Sequence, residues 1–283
     1  MGSCDGKVAF VTGASRGIGR AIARRFAAEG ASVVLGASRM GSHGKLQGTL
    51  EGAVSEIQAA GGKAAAVAAD LSDRAARADL IERANEAFGP IDVLVNNAAS
   101  AHMKLPSQAT TEERSFMYEL NLNAPIDLAQ QVIPGMQARG GGWILNISSA
   151  TSKQPALPYR DTKTNALIIG AYGATKAALD RYTEALAHEV ATHDIFVNAM
   201  APVAIVLTQG ADYVRDIARR NPDMVEPVEV MAEAALELCT ARHVGRVVFS
   251  RDVLHEVGRE VKSLDGQVVL GDAFIQADAE ATV

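Results

Sequence analysis

KVAFVTGASRGIGRAIARRFAA, residues 7–28, is the stretch on which the fold turns. Val8, Ala9, Phe10 and Val11 form a short continuous apolar run halted at Gly13, the pattern of a buried strand. From Ile18 onward, Ile18, Ile22, Phe26 and Ala27 recur at helical spacing. Between the two runs lie glycines at 13, 17 and 19. A strand, a glycine turn and a helix in that order predict a phosphate site. Glycine permits the tight turn and the close backbone approach, and the helix N-terminus offers free N–H groups with a positive dipole end. Gly13, Ser15, Arg16, Gly17, Ile18 and Gly19 are therefore candidate phosphate contacts. The spacing is G-x-x-x-G-x-G, which departs from the dinucleotide fingerprint G-x-G-x-x-G. A glycine cluster by itself is usually only a turn, and it is the flanking strand and helix that favour the phosphate reading.

The residues after the next strand, Ser32–Ala37, bear on the ligand. A dinucleotide site for NAD places an acid there, about 20 residues past the turn, to bind the ribose 2′-hydroxyl. Here the strand runs out as Gly36-Ala37-Ser38-Arg39 with no acid. Arg39 and Arg16, with Ser38 beside them, could instead grip a 2′-phosphate, which planar guanidinium groups match well. NADP(H) is favoured, with NAD(H) as the alternative. The rival reading is two solvated surface arginines.

Farther along, apolar runs and helical patterns alternate. Thr49–Ala60 reads as a helix, Lys63–Ala68 as a strand, Arg74–Phe88 as one helix and Ile91–Val95 as a strand. A long helix runs from Thr110 toward Met136, opened by the capping-box spacing of Thr110 and Glu113. Strands follow at Trp143–Ile147, Ile195–Met200 and Arg246–Ser250, with Val228–Leu238 as the last core helix. The alternation predicts an α/β fold, a doubly wound parallel sheet (Rossmann fold) with helices on both faces. Ligands then bind beyond the carboxyl ends of the strands. The glycine turn, Asn97 and Ser149 all follow strand ends.

Four motifs in this order carry a resemblance. They are Thr12-Gly-x-x-x-Gly-Ile-Gly19, Asn96-Asn97-Ala98, Ser149, and Tyr172-x-x-x-Lys176. Together they resemble the short-chain dehydrogenase/reductase family over residues 7 to about 250. The resemblance implies catalytic roles for Asn121, Ser149, Tyr172 and Lys176, Asn121 organising a water on the lysine. It implies cofactor contacts from Asp70 and Leu71 at the adenine edge, and from Asn97, Ala98, Pro202, Thr208, Tyr172 and Lys176. Asp70 has a rival role as the cap of the following helix, and Asn123 competes with Asn121. The sequence departs from the family at Ala99 and Val203, where glycine is usual, and Thr208 falls one residue late. Val203 and the polar loop Gly41 to Gly48 resemble the hydroxysteroid-dehydrogenase-like subgroup.

Two Tyr-x-x-x-Lys matches follow Ser149: Tyr159 with Lys163, and Tyr172 with Lys176. The motif needs a helix, because i and i+4 share a face. Tyr159 follows two prolines in a polar stretch. Tyr172 opens a run in which Leu179, Tyr182, Leu186 and Val190 keep helical spacing, so Tyr172 and Lys176 are chosen. That choice makes roughly ten residues around 154–169 an insertion beside the substrate mouth, where long loops commonly act as lids. Residues 209–220 read as a second mobile lid. A free phenol has a pKa of about 10. Lys176 and an oxidised nicotinamide beside it favour the phenolate. Ser149 then holds the substrate oxygen while Tyr172 exchanges its proton.

The chain has 283 residues, 48% of them hydrophobic, enough for one large core. One Rossmann-type domain is expected over 1–283, with its core at 7–250, substrate loops near 150–171 and 203–225, and an extension from 251. A net charge of −6 argues against a nucleic-acid partner. Two cysteines, Cys4 and Cys239, suggest a reducing compartment. The absence of an early apolar segment and of a membrane span points to a soluble, cytoplasmic protein. His43, His102, His188, His193, His243 and His255 lack ligand spacing, so no metal is expected. The predicted substrate is a small carbonyl or alcohol, medium-sized and apolar. By analogy a homotetramer or homodimer is expected. The alternatives are an NAD(H)-dependent hydroxyacyl thioester or steroid-type dehydrogenase, and a catalytically silent nucleotide-binding regulator.

Overall fold

The computed structural model describes residues 2–42, 47–153, 166, 167, 170–203, 205–208, 218, 219 and 225–271. The rival pair Tyr159 and Lys163, most of the insertion before Tyr172 and most of the expected lid at 209–220 lie outside the described residues.

Seven parallel strands stand in the order β3-β2-β1-β4-β5-β6-β7. They are β1 (Val8–Thr12), β2 (Ser32–Ala37), β3 (Lys63–Ala68), β4 (Val93–Asn96), β5 (Gly142–Ile147), β6 (Ile195–Ala201) and β7 (Val247–Phe249). The chain builds outward from β1 to β3, then returns to start again at β4 on the other side of β1. The carboxyl ends of β1 and β4 therefore flank the point where the winding reverses, which is where a doubly wound sheet opens a crevice for ligands. The glycine turn leaves β1 there, and Asn97 leaves β4.

Alternation along the strands sorts the core into two layers. Ala9 and Val11, Val33 and Leu35, and Leu145 and Ile147 face one side. There they meet α1 (Gly17–Ala28), α2 (Leu50–Ala59), α8 (Val228–Leu238) and α9 (Ser250–Val257). Phe10, Val34, Leu94 and Ile144 face the other, against α4 (Leu80–Phe88), α6 (Ala124–Arg139) and α7 (Ala171–Val190). A buried ion pair ties α1 to α8: Arg25 Nε donates to Glu233 Oε2 at 2.8 Å, and Arg259 Nε takes the other oxygen at 2.8 Å.

Three elements depart from the sequence reading. The helix expected at 74–88 is broken into α3 (Arg74–Arg77) and α4. Arg77, fully buried, is drawn inward by Asp127 (2.8 Å), Glu119 and the Leu71 carbonyl. Arg83 meanwhile takes the Ala76 carbonyl at the break. Asp70 does not cap this helix, since Asp73 does; the Asp70 carboxylate accepts from Ser72 instead. The long helix from Thr110 opens with its capping box in place but widens into a π-turn at Glu119–Asn123 between α5 (Thr111–Tyr118) and α6. Pro125 has no N–H to give the Asn121 carbonyl, so the ordinary α-helical bond there cannot form. Finally, β7 stops at Phe249, and Ser250 begins a further helix that buries Val253 and Leu254. The helix at 228–238 is therefore not the last of the core.

Candidate active site

The glycine turn is held from behind by β4. Thr12 Oγ1 accepts from the N–H groups of Asn97 (3.0 Å) and Ala98 (3.1 Å) and donates to the Val95 carbonyl (3.3 Å). Asn97 Nδ2 donates to the carbonyls of Thr12 (2.9 Å) and Gly13 (3.3 Å). This packing explains Gly19, where a Cβ would lie 2.5 Å from Asn97 Nδ2 and 2.6 Å from the Gly13 oxygen. Gly17, at φ +58°, sits in the left-handed region that side chains rarely adopt. Thr12 was quoted only as part of a motif, yet its hydroxyl is the hub that fixes the turn.

The mouth of the turn suits an anion. Arg16 stands at the N-cap of α1 in extended backbone (φ −162°), with no side-chain cap bond and no acid in the first turn. The first N–H groups of α1 therefore keep the polarity that favours a phosphate. Arg20 and Arg24 on the same helix pair with Glu56, whereas among the described residues neither Arg16 nor Arg39 has an acidic partner. Ser38 and Arg39 are exposed just past β2, and Asp70 lies exposed past β3. Leu71 is buried. These residues could hold an anionic dinucleotide at the carboxyl ends of the strands. Thr208 lies against Gly17, its Cβ 3.3 Å from where a glycine Cβ would stand. It thus borders the glycine turn. Pro202 is half-buried at the end of β6, and the next residue's N–H, on Val203, is held by the buried Glu226 at 3.1 Å.

Past β5, Ser149 caps a short 3₁₀ turn, Ala150–Ser152. Its Oγ accepts from Thr151 N (3.2 Å) and Thr151 Oγ1 (2.9 Å). Both accepted bonds leave the Ser149 O–H to donate elsewhere. Tyr172 and Lys176 lie in the first two turns of α7, as the i, i+4 spacing requires. The Lys176 ammonium sits 5.9 Å from the centre of the Tyr172 ring and donates to the Ile147 carbonyl at 2.7 Å, two residues before Ser149. Lys176 is buried, and burial lowers its pKa to about 8 against the raising influence of Asp180.

Asn121 reaches the same cluster by another route. Its side chain clamps Ser100, donating to the Ser100 carbonyl and accepting from its N–H, both at 2.9 Å. It also donates to Thr175 Oγ1 at 3.2 Å, and Thr175 in turn donates to the Tyr172 carbonyl at 2.7 Å. Thr175 and Thr151 were both missed by the sequence reading. Thr175 stands between the two motif residues, at i+3 from Tyr172, and that spacing is the signal that could have found it. At the start of α7, Gly170 leaves room for the Ala166 carbonyl, whose oxygen would lie 2.9 Å from a Cβ there. The loop carrying Lys104 and Pro106 packs at ordinary contact distance, 3.4 Å for Pro106 Cγ and 3.5 Å for the Lys104 oxygen. Among the described residues there is no group of three His, Cys, Asp or Glu that could hold a metal ion, and no helix is long and apolar enough to cross a membrane.

Comparison with known proteins accords with this geometry. A family profile described as short chain dehydrogenase matches residues 7–217. The Danio rerio hydroxysteroid dehydrogenase-like protein 2 is 32% identical over all of this chain and 67% of its own length, and the Mus musculus protein 30% over 56% of its length. The chain thus spans about two thirds or less of these relatives. Oxidoreductase UcpA of Escherichia coli K12 is 36% identical over 83% of this chain and 81% of its own. Among solved structures, a 7α-hydroxysteroid dehydrogenase complexed with NADH and 7-oxo glycochenodeoxycholic acid superposes with a TM-score of 0.76 at 30% identity, covering 87% of this chain and 93% of that one. A 3-oxoacyl (acyl-carrier-protein) reductase from Agrobacterium tumefaciens C58 with NADP bound gives 0.73 at 31% identity, over 87% and 93%. Fold and relatives define an oxidoreductase built on a Rossmann sheet. The chain belongs to the short-chain dehydrogenase/reductase family.

Proposed function

We propose that this chain is an NADP(H)-dependent oxidoreductase that interconverts a carbonyl and a secondary alcohol on a medium-sized apolar substrate, with Tyr172 as general acid and base. The observation that carries the reading is the convergence past β5. Lys176, under the Tyr172 ring, bonds the backbone two residues before Ser149. Asn121 and Thr175 lock that helix face to the loop after β4.

The nicotinamide cofactor, when bound, supplies or accepts the hydride. The chain's own residues do the rest. The N–H groups of Gly17, Ile18 and Gly19, with Ser15, hold the diphosphate, and Thr208 adds its hydroxyl there. Arg16 and Arg39, with Ser38, take the 2′-phosphate by charge-assisted bonds. Asp70, Leu71, Asn97 and Ala98 line the adenosine side, and Pro202 the nicotinamide side. Ser149, its oxygen fixed by Thr151, donates its O–H to the substrate oxygen. Tyr172 delivers or removes the proton at that oxygen, and the charge of Lys176 eases the phenol's ionisation. The Asn121 carbonyl, which Pro125 cannot engage, is the acceptor for a water leading from Lys176. Half-buried Met103 and Leu105, on the loop packed against Gly170, give the substrate side its apolar character.

Arg16→Ala and Arg39→Ala are each expected to weaken NADPH binding by about 10- to 100-fold while leaving NADH binding unchanged. Competition titrations check this; equal losses for both nucleotides count against the 2′-phosphate assignment. The reaction itself is tested with NADPH carrying deuterium at the transferable position and a panel of apolar ketones. The expected product is the secondary alcohol with deuterium on the former carbonyl carbon. Nucleotide binding without transfer to any member favours the silent regulator.

A further inference from the structure

Behind Lys176, on the side away from Tyr172, lies an acid that the mechanism above leaves unused. Asp180 follows Lys176 by one turn of α7, so the two side chains are neighbours on one face. It is nine-tenths buried, at 9% exposure. Ser148 of the β5 end and Ser152 and Lys153 of the 3₁₀ turn surround it. Among the described residues Asp180 Oδ1, Ser148 Oγ and Ser152 Oγ, all fully buried, have no partner at full hydrogen-bond geometry. The next residue, Arg181, turns to solvent and pairs with Glu184 at 2.9 Å. A buried carboxylate beside a buried ammonium calls for an explanation, because each charge alone is costly to bury.

We propose that Asp180 is a positioning residue for Lys176: its buried carboxylate supplies the counter-charge that keeps the ammonium charged and seated against the Ile147 carbonyl, beneath Tyr172. The inference rests on the role given to Lys176 above. The electrostatics agree with the geometry. Burial is what pushes Lys176 down to about 8, and Asp180 is the group that opposes it. Burial likewise pushes the Asp180 carboxyl up, while the Ser148 and Ser152 hydroxyls and the charges of Lys153 and Lys176 pull it back.

The test is Asp180→Asn in the full chain, with Asp180→Ser as a second neutral variant should the amide fail to fold and Asp180→Glu as the conservative rescue. The first readout is folding stability against pH, which needs no catalysis. Wild-type stability climbs as pH rises from about 8, where native Lys176 loses its proton before the unfolded chain does. In the neutral variants that climb starts about one pH unit lower or more, and in Asp180→Glu it stays near its wild-type position. In a Lys176→Met background, Asp180→Asn moves nothing in this window. The second readout is the alkaline limb of kcat/KM, which shifts by the same amount. A folded neutral variant whose stability onset is unmoved overturns the proposal. Absence of turnover in the wild type refutes the functional reading instead, and the stability onset still decides for or against Asp180.

Discussion

Tyr172→Phe is expected to lower turnover by about a thousandfold or more, the scale of a lost general acid and base, and to leave NADPH affinity unchanged. The phenyl ring keeps its place 5.9 Å from the Lys176 ammonium, so the packing of α7 survives the change. What disappears is the O–H at the substrate oxygen. Ser149, its oxygen fixed by Thr151, still donates a bond there, but the group that exchanges the proton is gone. Single-turnover oxidation of NADPH and equilibrium titration separate the two effects. Tyr159→Phe, in the other Tyr-x-x-x-Lys match, serves as the comparison and is expected to retain the wild-type rate. Retained turnover in Tyr172→Phe, or its loss in Tyr159→Phe, reverses the choice between the pairs.

Lys176→Met is expected to abolish turnover and to remove the rise of stability with pH that the buried lysine produces. Burial holds the lysine at about 8, against 10.5 for the unperturbed amine. Between these values the unfolded chain binds a proton that the native chain has lost, so wild-type stability rises with pH through that window. Below it the native state carries the full cost of a buried charge, roughly 3 kcal/mol. Methionine removes that cost, but it also loses the bond to the Ile147 carbonyl and leaves the Asp180 carboxylate buried without its counter-charge, so no net gain is expected at pH 7. Urea unfolding at pH 7 and pH 10 measures both parts. The variant is expected to gain nothing at pH 7 and to lack the Lys176-linked increase toward pH 10. An increase toward pH 10 that survives in the variant means that another group, not Lys176, produces it.

Much of this site is legible from local spacing. Gly13, Gly17 and Gly19 between an apolar run and a helical pattern predict the turn that Asn97 and Thr12 hold in place. Tyr172 and Lys176 fall on one helix face because their spacing puts them there. Contacts between distant elements are less legible. Asn121 was singled out as a polar residue costly to bury, but its partners, Ser100 and Thr175, come from the β4 loop and from α7. The π-turn around it has a local cause in Pro125, a residue that the helical pattern alone passes over. Asp180 carries no mark in the sequence, and only the fold reveals that the β5 end covers it. The break after Arg77 has the same origin, since Asp127 and Glu119 lie on elements far along the chain.

The central claim is that the carboxyl ends of β1, β2 and β4 form an NADP(H) site. The most direct measurement is the affinity of the purified protein for NADPH and for NADH, read by nicotinamide fluorescence. The account predicts NADPH binding tighter by at least about tenfold, the worth of charge-assisted bonds from Arg16 and Arg39 to a 2′-phosphate. Equal or tighter NADH binding makes those arginines surface charges and moves the enzyme to the NAD-dependent reading. Binding of neither nucleotide contradicts the account.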